Sequence, residues 1–134
     1  MRAAALLVLT AGMAPAQDAT GGATGATSRP EAVAPAVTEA SAVFLRGLDK
    51  VSGQTMDIEI PVGGTGRYGP LEVAVSACRY PVDDPASNAY AHLTIRDPAQ
   101  TAPVFDGWMI ASSPALNALD HPRYDLWVLR CKSS

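Results

Sequence analysis

The sequence contains no run of apolar residues long enough to span a membrane. Its longest, residues 3–11, is about half of the roughly 20 residues that a spanning helix needs. Arg2 precedes this run, and a small-residue A-x-A site ends at Ala16, a combination typical of a secretory signal peptide. We therefore expect residues 1–16 to be cleaved after Ala16 and the mature protein to be periplasmic. No cysteine near the cleavage site offers a point for a lipid anchor.

Clusters of positive charge are also absent. The chain has 10 Lys and Arg against 13 Asp and Glu, a formal charge of −3. Removing the signal peptide with Arg2 leaves 9 − 13 = −4. Nucleic acids and anionic membranes attract proteins through concentrated basic residues, which here are scattered. These two classes of partner are therefore not expected.

Cysteine is scarce, and its two copies lie far apart in the sequence. Cys78 and Cys131 are separated by 131 − 78 = 53 residues, and no Cys-x-x-Cys spacing indicates a redox centre. In an exported protein such a pair is most simply a disulfide. Closing a loop of this length stabilises a small domain by about 4 kcal/mol in the chain-entropy model.

Motifs for metal, phosphate or cofactor binding are missing as well. The glycine-rich residues 63–70 lack the Gly-Lys-Ser/Thr ending of a phosphate loop, so we interpret them as a hairpin connection. Asp83 and Asp84 lack further ligands at calcium-loop spacing and are interpreted as turn residues. His92 falls on the polar face of a predicted strand, and with His121 it gives too few ligands for zinc. We predict neither a metal nor a cofactor.

The chain after the signal peptide divides into a tether and a folded domain. Residues 17–41 consist mostly of Ala, Gly, Thr, Pro and Ser and cannot bury enough apolar surface to fold. They predict a disordered tether with a reach of roughly 25 to 30 Å. Residues 42–132 form the predicted domain, and residues 133–134 a short tail.

Alternation of apolar and polar residues predicts about six short strands in this domain. Pro61 limits the second to an edge or an end of a sheet. In the fifth strand we expect a bulge at Gly107 that keeps Trp108 and Ile110 pointing inward. The last strand is apolar on both faces and is expected to be central. The predicted strands cover residues 42–48, 56–62, 71–80, 88–96, 104–110 and 124–131.

One short helical turn is predicted between the last two strands. Ser113 fits the N-cap and Pro114 the first helical position, and Leu116 and Leu119 would share a face. Pro122 disfavours helical geometry at His121, where the turn should end. The elements together predict an all-β fold, a small sandwich or barrel of about six strands with one helical turn and one disulfide.

The same residues carry a resemblance to a known family. The domain is similar to the uncharacterised exported proteobacterial family known as domain of unknown function 2155. The resemblance implies export and no defined activity. Genes of that family lie near one for an accessory subunit of a respiratory NADH dehydrogenase, which implies a respiratory-chain complex of the envelope as a hypothetical partner. The matching stretches are FLRGLDKVSGQTMDIEIPVG, YGPLEVAVSACRYP and FDGWMIASSPALNALDHPRYDLWVLRCK.

Five residues near the C-terminus form the candidate binding surface, namely Trp108, Ser113, Asp120, His121 and Trp127. An exposed tryptophan would bind a sugar, a peptide or a partner protein. Ser113, His121 and Asp120 are also the residue types of a hydrolytic triad, but the Gly-x-Ser-x-Gly elbow is missing.

The leading hypothesis is a non-enzymatic periplasmic β domain that binds or helps to assemble proteins of the envelope. The first alternative is a domain that binds a small ligand, a sugar or a peptide. The second is a hydrolase that uses Ser113 and His121.

Overall fold

The structure, a computed structural model, describes Gly12 and residues 36–133. Apart from Gly12, the described residues fall in one compact unit, residues 34–134. The rest of the predicted signal peptide and residues 17–35 of the predicted tether lie outside them. None of the helices described is long and apolar enough to cross a membrane.

Eight strands and one short 3-10 turn make up the described fold, which confirms the predicted all-β class. Two of the strands were not predicted. The first lies within residues 17–41, so the folded domain begins before residue 42, and the fourth lies within the predicted loop at residues 63–70. The elements are β1 (Val37–Glu39), β2 (Ala42–Asp49), β3 (Thr55–Pro61), β4 (Thr65–Tyr68), β5 (Leu71–Pro81), β6 (Tyr90–Arg96), β7 (Phe105–Ile110), the 3-10 turn (Pro114–Leu116) and β8 (Tyr124–Cys131).

The strands form two antiparallel sheets. The five-stranded sheet has the order β1-β5-β6-β7, with β4 also paired to β5, and the three-stranded sheet has the order β3-β2-β8. β5 is 11 residues long, so one side of it pairs with β4 near its start and with β1 at its end. The two sheets bury one common apolar core, as a sandwich does.

Strict alternation holds in β2 and β6 as the sequence predicts. Val43 and Leu45 point into the core from β2, and Ala91, Leu93 and Ile95 do so from β6. A disulfide joins Cys78 in β5 to Cys131 in β8, with 5.8 Å between their Cα atoms. The predicted disulfide is therefore confirmed, and it ties the two sheets together.

A bulge in β5 changes which residues face the core. The pairing of β5 with β6 shifts between Val75 and Ala77, so the next buried residue after Val75 is Cys78. Alternation along residues 71–77 of the sequence predicts that Ala77 shares the inward face with Val75, and this prediction is wrong because the extra residue reverses the alternation. The bulge thereby turns Cys78 toward its partner on the opposite sheet.

The bulge predicted at Gly107 is absent from β7, which pairs with β6 without a shift in register. Regular alternation from Phe105 buries Met109 and points Trp108 outward, so the predicted inward orientation of Trp108 is wrong. Gly107 has another role. A Cβ there would lie 3.0 Å from the side-chain nitrogen of Asn117, so the glycine makes room for the chain that follows β7.

The prediction that β8 is central is also wrong, since among the described residues β8 is an outer strand that pairs only with β2. Its second apolar face meets loops instead of another strand. Trp127 shares a groove with Pro114, Ala115 and Ala118, all from the chain that connects β7 to β8. Apolar residues on both faces of a strand can therefore reflect covering by loops.

The helical turn is shorter than predicted. It spans Pro114–Leu116 with proline at its start, as expected, but the Ser113 side chain forms no capping hydrogen bond. Leu116 is 75% exposed whereas Leu119 is buried, so the two leucines do not share a packed face. Because a 3-10 turn of three residues ends at Leu116, the chain is extended by the time it reaches Leu119.

Candidate functional site

The structure does not bring the five predicted binding residues together on one surface. Trp108 lies on the outward face of the five-stranded sheet, and Trp127 on the outward face of the three-stranded sheet. His121 is buried, Asp120 is exposed and Ser113 is half-buried, all three in the connection between β7 and β8, residues 111–123. The candidate surface therefore has to be rebuilt around the residues that each tryptophan contacts.

Trp108 is the one exposed aromatic side chain among the large apolar residues on the surface of the described chain, with 38% of its area exposed. Antiparallel pairing places it directly beside His92 of β6, whose ring lies edge-on at 5.3 Å between centroids. The Arg79 guanidinium lies 5.0 Å from the centroid of the indole ring. A cation at this distance is attracted by the ring electrons, so the indole is held from two sides.

The neighbours of Trp108 are themselves held by hydrogen bonds. The Nε of Arg79 donates to Oε1 of Glu39 in β1 at 2.6 Å. The hydroxyl of Ser76 lies 2.7 Å from Nδ1 of His92. Trp108 therefore sits on a surface whose side chains have fixed positions, which lowers the entropy lost when a partner binds.

We call this surface the Trp108 face. It combines one tryptophan, one tyrosine, one histidine, one arginine and two acidic residues, and it lies across four adjacent strands of one sheet. At the border of this surface, the hydroxyl of Thr94 donates a hydrogen bond to Oδ1 of Asp106 at 3.2 Å. The residues of the Trp108 face are Glu39, Arg79, Tyr90, His92, Asp106 and Trp108.

Arg79 and His92 were not among the predicted site residues. The alternation in β6 correctly placed His92 on the polar face, but alternation does not predict the strand pairing that sets His92 beside Trp108. Arg79 was missed because its position depends on the bulge in β5. The one signal in the sequence was a histidine and an arginine on two predicted strands. The structure shows that these strands, β5 and β6, are neighbours.

His121 lies in a buried hydrogen-bonding cluster at one end of the sandwich. Its Nδ1 accepts hydrogen bonds from the backbone amides of Arg123 and Tyr124, both at 3.1 Å. Since Nδ1 is an acceptor, Nε2 carries the proton and donates to Oδ2 of Asp97 at 2.9 Å. Both ring nitrogens are therefore engaged, and the ring fixes the entry of the chain into β8.

Hydrogen bonds to Asp97 favour the ionised form of its carboxyl group. The backbone amide of Ala99 and then His121 donate hydrogen bonds that lower the pKa of Asp97 below its ordinary value. The carboxylate is thus ionised where it receives the His121 proton donor. Lys50, the first residue after β2, reaches the same cluster, and its Nζ donates to the backbone oxygen of His121 at 2.6 Å.

A pair of oppositely charged side chains lies beside this cluster. Arg123 contacts Asp49 through two nitrogens, with Nη2 3.0 Å from Oδ2 and Nε 3.4 Å from Oδ1. This side-chain contact, together with the backbone amide of Val51, lowers the pKa of Asp49 to about 2. The rings of Tyr68 and Tyr124 meet edge-on next to it, at 5.5 Å between centroids.

Ser113 is placed differently from a nucleophile. Its amide donates to the carbonyl of Ile110 at 3.1 Å, and its own carbonyl accepts from Leu116. Within residues 36–133, no hydrogen bond joins Ser113 to His121 or to Asp120. No group of three or more His, Cys, Asp or Glu suited to a metal ion occurs in that part of the chain either.

Comparison with known proteins places the fold in a family. A family model described as an uncharacterized protein conserved in bacteria, DUF2155, matches residues 43–131, from the second residue of β2 to the last residue of β8. The chain belongs to the DUF2155 family. The uncharacterized protein RP359 of Rickettsia prowazekii (strain Madrid E) is 26% identical over 90 residues. These cover 63% of this chain and 56% of RP359, so the match spans little more than half of that relative. No solved structure matches the chain.

Proposed function

We propose that this DUF2155 domain is a non-enzymatic protein-binding module of the bacterial periplasm, exported by residues 1–16, that docks through the Trp108 face. The observation that carries the proposal is an exposed tryptophan held in place by Arg79 and His92. Tryptophan, tyrosine and arginine are the residues that most often dominate the binding energy of protein interfaces. The Trp108 face contains all three.

The shape of the surface favours a protein over a small ligand. Small-molecule sites are concave and bury most of their ligand, whereas Trp108 stands on the face of a regular sheet. The polar residues around it, Glu39, Asp106 and His92, would form the hydrated rim of an interface whose centre is the indole ring. A partner with an apolar patch bordered by hydrogen-bonding groups fits this arrangement.

The state of His121 supports a role without catalysis. A general base needs an unshared electron pair within reach of the proton it removes. Nδ1 of His121 receives two backbone amides, and Nε2 donates to Asp97. The hydrolase alternative would require this cluster to open.

The partner is expected among proteins of the envelope, and a respiratory-chain complex is a candidate that the family resemblance alone suggests. The test is site-specific photocrosslinking in the native host. A photoreactive residue at Asp106 lies on the Trp108 face, and one at Leu116 is exposed outside it. We expect a defined adduct from position 106 in the periplasmic fraction, none from position 116, and loss of the adduct when Trp108→Ala is added.

Adducts from position 116 alone, or an adduct at position 106 that persists in Trp108→Ala, would contradict the proposed surface. Recovery of the protein in the cytoplasm would contradict the export.

A second candidate is the binding of a sugar by Trp108, which the neighbouring Asp106 and His92 favour because a few convergent polar groups can orient a ligand. It predicts a change in tryptophan fluorescence when a panel of oligosaccharides is added to the Trp127→Phe variant. An unchanged signal across the panel would remove this candidate.

A further inference from the structure

The outer strands of the sandwich differ in how their unpaired edges are protected. An outer strand presents unpaired N–H and C=O groups at every second residue, and these can pair with another chain. In β7 two of the outward carbonyls are capped, since Trp108 O accepts from the side chain of Asn117 and Ile110 O accepts from the amide of Ser113. The end of the β7 edge from Trp108 to Ile110 is therefore partly covered by the chain that follows it.

The edge of β8 is covered as well. The amide of Tyr124 donates to His121, and the amide of Leu126 donates to the carboxylate of Asp125 at 2.9 Å. Leu126 itself and Val128, two residues farther along the strand, are almost completely buried. An added strand would find no accessible backbone there.

The edge of β3 is open. Within residues 36–133, β3 pairs only with β2. The bond from the amide of Asp49 to the carbonyl of Gln54 fixes the ladder, so the amides of Met56 and Ile58 face β2, and those of Asp57 and Glu59 face away from it. Asp57 and Glu59 are exposed. With seven residues, β3 is longer than the outer strands β1 and β4, which have three and four.

The side chains of β3 define what could pair with it. Its outward face carries Asp57 and Glu59, which contact Arg46 of β2 and Lys132, the residue after β8, at 2.7 and 2.9 Å. These contacts fix the carboxylates while leaving 49% and 42% of the two side chains exposed. β3 contains no basic residue.

The other face of β3 is apolar. Met56 is 59% exposed, and it borders a groove of about 220 Å³ that is also lined by Tyr68 and Tyr124. Ile58 is half-buried beside it. A strand added next to β3 would therefore place alternate side chains against carboxylates on one face and against this apolar border on the other.

We propose that the outer edge of β3 binds, by strand addition, an extended segment of a partner protein in which basic residues alternate with apolar ones. Opposite charges on neighbouring strands stabilise the pairing, and like charges destabilise it. A second copy of this chain is disfavoured as the occupant, because antiparallel pairing of two β3 strands would set Asp57 and Glu59 against the same carboxylates. This site lies apart from the Trp108 face and does not depend on it.

The test is amide hydrogen exchange of the full-length chain with a synthetic eight-residue peptide that alternates lysine with valine. At ten times its dissociation constant, the peptide should slow exchange of the Asp57 and Glu59 amides about tenfold. The Met56 and Ile58 amides, already bonded to β2, should be unchanged. Slowed exchange at every second amide of β3 distinguishes strand addition from binding through side chains alone.

Two further measurements test the charge preference. A peptide with glutamate in place of lysine should not bind, and the double variant Asp57→Asn, Glu59→Gln should weaken the lysine peptide about fivefold. The matched control Asp83→Asn, Asp84→Asn removes the same charge from an exposed loop and should leave binding unchanged.

Four results would overturn the proposal. The first three are exchange without protection at Asp57 and Glu59 up to millimolar peptide, equal slowing of all four amides, and equal binding of the glutamate peptide. Slowing confined to β6 and β7 would assign the peptide to the Trp108 face and would also overturn it.

Discussion

His121 determines local structure through both of its ring nitrogens. Its ring accepts two backbone amides through Nδ1 and donates to Asp97 through Nε2. Each buried amide left without an acceptor costs roughly 1–3 kcal/mol. The first turn into β8 therefore depends on this ring.

Replacing His121 by Ala should lower the free energy of unfolding by about 3 kcal/mol, because two amides lose their acceptor and a cavity forms. Asp97→Ala should cost about 1–2 kcal/mol, since it leaves the buried Nε2 proton of His121 and the more exposed amide of Ala99 without their acceptor. The double variant should cost less than the sum, as contacting residues do. Urea denaturation of the purified protein measures all three.

His92→Ala is the matched control, since this ring lies half-exposed on a sheet face, and its loss should cost less than about 1 kcal/mol. A His121→Ala variant as stable as the control would refute the structural role. The pKa of Asp97 is lowered in the folded protein, so its contribution is present above the unfolded pKa of about 3.9. The stability difference between wild type and Asp97→Ala should therefore shrink as the pH falls through the folded pKa.

At the scale of single elements, the connection between β7 and β8 acts as a cover for strand edges. Ser113 and Asn117 cap carbonyls of β7, His121 caps an amide of β8, and Leu119 is buried in the common core. One connection thus caps backbone groups of both outer strands, β7 and β8.

Replacing Asn117 by Ala should remove the cap on the Trp108 carbonyl and lower the free energy of unfolding by about 0.5–1.5 kcal/mol. Asn117→Asp keeps the shape but loses the donor, and it should be at least as destabilising. Gln100→Ala, an exposed amide side chain elsewhere, should have no measurable effect. Equal stabilities of the Asn117 and Gln100 variants in urea would show that the cap is unimportant.

Alternation in the sequence predicted the strands that carry no extra residue of their own, such as β2 and β6. It failed where a contact distant in sequence decides the geometry. The bulge after Val75 serves the disulfide to Cys131, and Gly107 leaves room for Asn117 without a bulge. The disulfide itself was predictable because only one pairing of two cysteines exists.

The candidate site was only partly predictable for the same reason. Trp108 was identified from its residue type, but its orientation and its neighbours Arg79 and His92 depend on strand pairing and on the β5 bulge. His121 was grouped with Trp108 because they are near in sequence. The fold buries His121 and leaves Trp108 on the surface.

At the scale of the whole molecule, the sandwich offers two separate surfaces. The Trp108 face lies on the outward side of the five-stranded sheet, and the open edge of β3 belongs to the other sheet. The disulfide between β5 and β8 holds the two sheets together. A module with this layout can contact a partner through side chains on one sheet and through backbone on the other.

We expect Trp108 to dominate binding to the partner identified by photocrosslinking. The decisive measurement is the affinity of that purified partner for three versions of the full chain, namely wild type, Trp108→Ala and Leu116→Ala. Loss of a central interface tryptophan costs about 2 kcal/mol or more, so Trp108→Ala should bind at least about 30-fold more weakly. Leu116→Ala should bind like wild type. Equal affinities of wild type and Trp108→Ala would contradict the account.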